Sequence, residues 1–137
     1  MILRTLQEAG STGTSVDADT WTSRRLLLAD DGMGFSLHDT IMRAGTTTPM
    51  WYRNHVEAVY CIHGEGELRE TDTGAVHQIG PGTLYALDAH DRHSVHARTD
   101  LRLICVFNPP CTGQERHDED GSYPLLMAHD EGGSDGA

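Results

Sequence analysis

The chain reads as an all-β protein, a single jelly-roll barrel with little helix. Its apolar residues alternate or fall in short continuous runs, rather than recurring at helical spacing. Turn signals interrupt those runs at Asp31-Gly32, Gly64, Thr73-Gly74, Gly80-Pro81-Gly82 and Asp88–Asp91. Short strands joined by regular turns make an antiparallel sandwich or barrel. At 137 residues and 37% apolar content, the chain suits one domain with a modest core.

Taken in order, the pattern predicts a first strand at 2–6, then one at 24–29 that stops at Asp31-Gly32. A longer strand follows at 34–43, and 56–63 and 66–71 flank Gly64. Strands at 76–79 and 83–87 bracket the Gly-Pro-Gly turn, and 93–98 and 101–107 complete the set. Asn108-Pro109-Pro110 ends the barrel (1–110), because proline cannot donate to a sheet ladder. A polar segment at 111–125 is read as a lid over the barrel opening, loose until substrate binds, and 126–137 as a disordered tail. Side chains alternate between the two faces of a strand. Glu57, Val59 and Cys61 therefore share a face, as do Tyr85 and Leu87, then His93, Val95 and Ala97, then Leu103, Cys105 and Phe107. If those faces point inward, Glu57, Tyr85 and His93 converge inside one cup.

Charge and composition remove several classes of function. A net charge of −11 argues against a nucleic-acid partner, which needs clustered basic side chains. All ten basic residues are arginine, so a lysine Schiff base and a P-loop are excluded. No apolar run is long enough to span a membrane, and the start lacks the layout of a signal peptide. Three cysteines with no paired spacing point to a reducing compartment, and hence to a soluble, cytoplasmic protein.

Between Gly45 and Ala89 the chain keeps the skeleton of the two cupin motifs. Gly45, Glu57 and Gly64 hold the frame of the first motif, but Trp51 and Arg53 stand in its two histidine places. Gly74 and Gly82 hold the frame of the second, with Gly80 in the proline place, Tyr85 in the histidine place and Ala89 in the asparagine place. The chain thus resembles a cupin whose standard three-histidine, one-glutamate site has been rebuilt.

Longer blocks carry a closer resemblance. TWTSRRLLLADDGMGFSLHDT (20–40), YRNHVEAVYCIHGEGE (52–67), GTLYALDAHDRH (82–93), LRLICVFNPP (101–110) and GQERHDEDGSYPL (113–125) together resemble the ectoine synthase family of cupin enzymes. The departures from the family pattern are Ala29, His63 and Cys111, none at a position with an assigned role. The resemblance implies a small-molecule substrate, N-gamma-acetyl-L-2,4-diaminobutyrate, closed with loss of water to the compatible solute ectoine in the osmotic stress response. It implies a homodimer and an iron site made from Glu57, Tyr85 and His93. That hard, oxygen-rich set favours Fe(II), with Mn(II) or another divalent metal second. Glu115 and His117 resemble the family's substrate-contacting pair and are read as proton-transfer groups, while Tyr52 and His55, flanking the first motif strand, are read as orienting water or carboxylate. Trp21, Ser23, Arg24 and Thr40 match positions lining the cup, Arg24 being chosen over Arg25 as the carboxylate clamp, and Cys105 and Phe107 form its wall.

Two other classes stay open on sequence grounds. A cupin-type non-haem iron oxygenase also uses few protein ligands, and would take up dioxygen during turnover. A non-catalytic cup would bind a small polar ligand without closing a ring.

Overall fold

The structure, a computed structural model, describes residues 1–11, 14–113 and 115–126. The chain opens with a short helix, α1 (Leu6–Ser11), followed by β1 (Ser15–Asp17) and β2 (Trp21–Leu27). A single 3-10 turn at Ala29–Asp31 leads to β3 (Ser36–Met42), β4 (Thr47–Met50) and β5 (Val56–His63). The remaining strands are β6 (Gly66–Glu70), β7 (Val76–Ile79), β8 (Leu84–Leu87), β9 (His93–Ala97) and β10 (Leu101–Asn108). They form a six-stranded sheet in the order β1-β2-β3-β10-β5-β8 and a four-stranded sheet in the order β4-β9-β6-β7. Every pairing within both sheets is antiparallel.

The two sheets close on one core, with Val59 and Leu103 from the larger and Leu68, Ile79 and Val95 from the smaller. The expected parity holds on the motif strands. On β10, Leu101, Leu103, Cys105 and Phe107 are buried while the residues between them are half-buried. Gly64 shows why the motif frame requires glycine. Its φ of +95° lies in the left-handed region, and a Cβ there would sit 2.0 Å from the Asp100 carbonyl oxygen.

Three elements differ from the sequence reading. Residues 2–6 lead into α1 rather than forming a strand. Thr5 caps the helix reciprocally, its backbone N donating to the Glu8 carboxylate at 2.7 Å while Glu8 N donates to Thr5 Oγ1 at 3.2 Å. The alternation of MILRTL hid that capping box. β1 is only three residues long and pairs with β2, which starts three residues earlier than its apolar run suggests. β4 contains Pro49, which the ladder accepts because β4 is an edge strand.

The segment after Pro110, read as loose, is packed against the barrel. Cys111, Glu115, Ser122 and Tyr123 are buried. Trp51 N donates to Gly121 O at 3.0 Å, Arg53 N to Ser122 Oγ at 3.2 Å and Asn54 Nδ2 to Tyr123 O at 2.9 Å. Arg53 also pairs with Asp118 and Asp120, each at 3.3 Å. Residues 127–137, all but the first residue of the expected disordered tail, lie outside the described residues.

Candidate active site

The inward faces of β2, β3, β5, β8 and β10 converge on a narrow cup, which the tail helps to line. Trp21 (β2), Thr40 (β3), Glu57 (β5), Tyr85 (β8), Cys105 and Phe107 (β10) line it, with Tyr52 from the β4–β5 loop and His117 and Tyr123 from the tail. Met42, Met50 and Leu103 supply apolar wall, and His38 adds an imidazole that sequence reasoning missed. The free interior is about 30 Å³, roughly the share of liquid volume one water takes. A groove of about 480 Å³ lies beyond Tyr85, bordered by β7, β8 and His93.

Glu57 and Tyr85 lie on neighbouring strands, in register as Glu57↔Leu87 and Val59↔Tyr85, and so share a face two residues apart. His93 comes from the other sheet, its ring centroid 6.4 Å from that of Tyr85. Its Nδ1 faces the Asp91 carbonyl at 3.0 Å, so Nδ1 carries the proton and Nε2 the lone pair. That Nε2 is buried and has no hydrogen-bond partner. Burial pushes the Glu57 carboxyl up to about 8, opposed only by a hydrogen bond involving Cys105. Burial and the nearby Glu57 likewise raise the Tyr85 phenol well above its ordinary range. A cation among the three would relieve all of these costs at once, so the donor set fits a divalent metal. Among the described residues no three His, Cys, Asp or Glu side chains gather to hold a metal ion. Any site here therefore needs the phenol as its third ligand.

His117 meets Tyr52 across the cup, Nε2 to hydroxyl, at 2.5 Å. Burial, then Arg25, lowers the His117 imidazole to about 4, so it is neutral near pH 7. Glu115, expected as a proton-transfer group, is not on the cup wall. It is fully buried and accepts hydrogen bonds from Thr112 N, Thr112 Oγ1 and Gly113 N at 2.8, 3.2 and 3.0 Å, with Arg25 Nη1 at 3.9 Å. These contacts tie the Glu115 carboxylate to the start of the tail. His55 is also buried behind the wall, against Phe107 and Tyr123, with Cys111 Sγ 3.9 Å from its Nε2.

Neither Arg24, the expected carboxylate clamp, nor its neighbour Arg25 is on the cup wall. Arg24 sits outside the barrel, where its Nη2 contacts Asp39 at 2.5 Å and Arg102 grips the same carboxylate with two nitrogens. Arg25 is the inward residue, fully buried, donating to Ser23 Oγ and to the Tyr123 hydroxyl at 3.2 Å each. Parity accounts for this placement, since Trp21, Ser23 and Arg25 alternate with Arg24 along β2. Ser23 does not face the cup space directly; its hydroxyl meets His38 Nδ1 at 3.3 Å.

A sequence profile described as ectoine synthase matches residues 1–127. L-ectoine synthase from Desulfatibacillum aliphaticivorans is 58% identical over 92% of this chain and 98% of its own length. The one from Halalkalibacterium halodurans is 56% identical over 88% and 94%. The crystal structure of ectoine synthase from P. lautus superposes with a TM-score of 0.83 at 57% identity, over 93% of this chain and 91% of that one. A putative ethanolamine utilization protein from Salmonella typhimurium, 17% identical with a TM-score of 0.58 over 66% and 70%, shares the fold alone.

Proposed function

We propose, from the premise that this chain belongs to the ectoine synthase family, that its cup closes N-gamma-acetyl-L-2,4-diaminobutyrate to ectoine around a single Fe(II). Membership makes the chain an enzyme, a hydro-lyase acting on a small molecule. Glu57, Tyr85 and His93 are the residues we assign to the metal, and the unpartnered, buried Nε2 of His93 is the observation that carries the assignment. When bound, the ion would supply polarisation of the substrate's amide carbonyl.

The chain's own residues meet the other demands of the reaction. The cup walls fold a flexible substrate so that its alpha-amine meets the amide carbon, which removes much of the entropic barrier. An alpha-ammonium group near pKa ~8 must lose a proton before it attacks. We assign that proton to His117, with the Tyr52 hydroxyl at 2.5 Å to relay it; its imidazole, lowered to about 4 in the empty cup, accepts the proton only once the bound substrate carboxylate raises it. The packed tail and apolar wall keep bulk water out of a step that expels water. A free interior of about 30 Å³ is far below the roughly 300–1,000 Å³ of ordinary ligand sites. Admission of substrate therefore requires the tail or the walls to move.

The finer setting follows from the same reading. Three buried, unpaired cysteines support a reducing, cytoplasmic location. No helix among the described residues is long and apolar enough to cross a membrane. The outer face of the six-stranded sheet exposes Val56, Tyr60, Ile62 and Leu84, a patch suited to a second copy of the chain in a homodimer.

The test loads metal-stripped protein anaerobically with Fe(II), supplies the acetylated diamino acid and looks for the cyclic amidine. Tyr85→Phe is expected to bind iron at reduced stoichiometry and to lose most turnover. Ring closure at full rate without metal, or equal iron in both proteins, would sink the metal assignment.

A further inference from the structure

We propose that Tyr123 is a substrate-contacting residue, its hydroxyl donating a hydrogen bond to the substrate carboxylate. The inference rests on the ring-closing reaction above, which requires the cup to hold an anionic end group. The cup wall itself carries no arginine among the described residues. Arg24 and Arg102 are committed to Asp39 on the outer face of the sheet. Arg53 and Arg92 lie over the Trp51 ring at the rim, 5.0 and 4.9 Å from its centroid. Arg25 is the cation near the interior, and it stands behind Tyr123 rather than in the cup. Its guanidinium carbon is 5.3 Å from the Tyr123 ring centroid, and its Nη2 donates to the phenolic oxygen at 3.2 Å.

That arrangement defines what the phenol can do. Its oxygen already accepts from Arg25, and its own proton has no acceptor among the described residues. The nearby Tyr52 hydroxyl differs, being engaged with His117. A phenol that accepts from a guanidinium becomes a stronger donor on its other side, as in any polarised chain of hydrogen bonds. Glu115 offsets the Arg25 charge from the Nη1 side, at 3.9 Å, and leaves the Nη2 side to Tyr123. A carboxylate placed against Tyr123 thus completes the chain from Arg25 through the phenol to the anion, a charge-assisted hydrogen bond. Since Tyr123 belongs to the tail, the segment that closes the cup also brings this contact.

The experiment compares wild type with Tyr123→Phe, using calorimetric binding of the substrate and of its carboxamide, in which the carboxylate is an uncharged amide. The Phe ring keeps the packing against Trp21, Tyr52 and His117, and thermal melting is followed in parallel. Tyr123→Phe is expected to weaken acid binding about tenfold and to raise KM by a similar factor, with kcat within about twofold. Carboxamide affinity is expected to be the same in both proteins. Unchanged acid binding overturns the assignment, and so does an equal loss for acid and carboxamide, which would mean a packing role. Tyr123→His keeps an acceptor for Arg25 and a ring donor, and is expected to recover part of the acid preference; recovery of none counts against the proposal. Calorimetry needs no turnover, so failure of ring closure in the wild type would sink the reaction without deciding this contact.

Discussion

His117 is the residue whose environment makes the sharpest prediction. Burial and Arg25 lower its pKa from the ordinary 6.5 to about 4, with Asp118 opposing and His93 adding to the fall. The unfolded chain therefore binds a proton between these values that the folded chain does not. Stability from this group is present above pH 6.5 and is lost as pH falls toward 4, amounting to at most roughly 3 kcal/mol. His117→Gln is expected to flatten the slope of unfolding free energy across that window, measured by urea titration at a series of pH values. Part of the slope will remain, because His38, His55 and His93 are lowered by burial as well. Of the cup, the inward placement of Glu57 and Tyr85 was legible in sequence through strand parity. The seating of Glu115 was not, because it depends on hydrogen bonds from Thr112 and Gly113 that no periodicity encodes. Tyr123 was missed for a related reason: in a polar segment without strand alternation, nothing marks which side chain turns inward.

At the scale of elements, the tail is held by a few specific contacts. Gly121 has φ +72°, and a Cβ there would lie 2.3 Å from Pro49 O and 2.7 Å from Met50 Cα, both backbone atoms. Gly121→Ala must therefore lift the tail or shift β4, and is expected to cost at least tenfold in turnover. Unchanged turnover with an intact melt would show that tail seating does not matter. Arg53 pairs with Asp118 and Asp120 while all three side chains are about two-fifths exposed or more. Exposed pairs contribute little and are screened by salt. Arg53→Ala should accordingly lower the melting temperature only slightly, yet make the tail more susceptible to proteolysis, most clearly at low ionic strength. Truncation after Pro110 is a poor probe of catalysis, since it strips Cys111 and Tyr123 from the core and should reduce folding itself. β5 and β7 match their sequence reading, but α1 and β4 do not. A capping box and an edge proline were outweighed by apolar alternation in one case and by the usual avoidance of proline in the other.

At the scale of the whole molecule, the outer face of the larger sheet is apolar at its β5–β8 end. Tyr60 is 46% exposed and Leu84 63% exposed on adjacent strands, β5 and β8. β8 is also an edge of its sheet, the kind of surface that natural proteins cover. Replacing both with Tyr60→Arg and Leu84→Glu is expected to convert a dimer to a monomer in light scattering; a monomeric wild type would refute the pairing. The barrel was legible because a strand order of this kind needs only alternation and turns, whereas the position of Trp51 needed coordinates. Its indole nitrogen donates to His90 O at 3.0 Å and its ring packs against the Arg53 and Arg92 guanidinium groups, while its neighbour Tyr52 faces the cup. The two places where the cupin spacing calls for imidazoles are thus rotated to the outside, not merely refilled. Writing histidine back at 51 and 53 would therefore cost the rim its indole contacts with Arg53, Arg92 and His90 without putting two imidazoles into the cup.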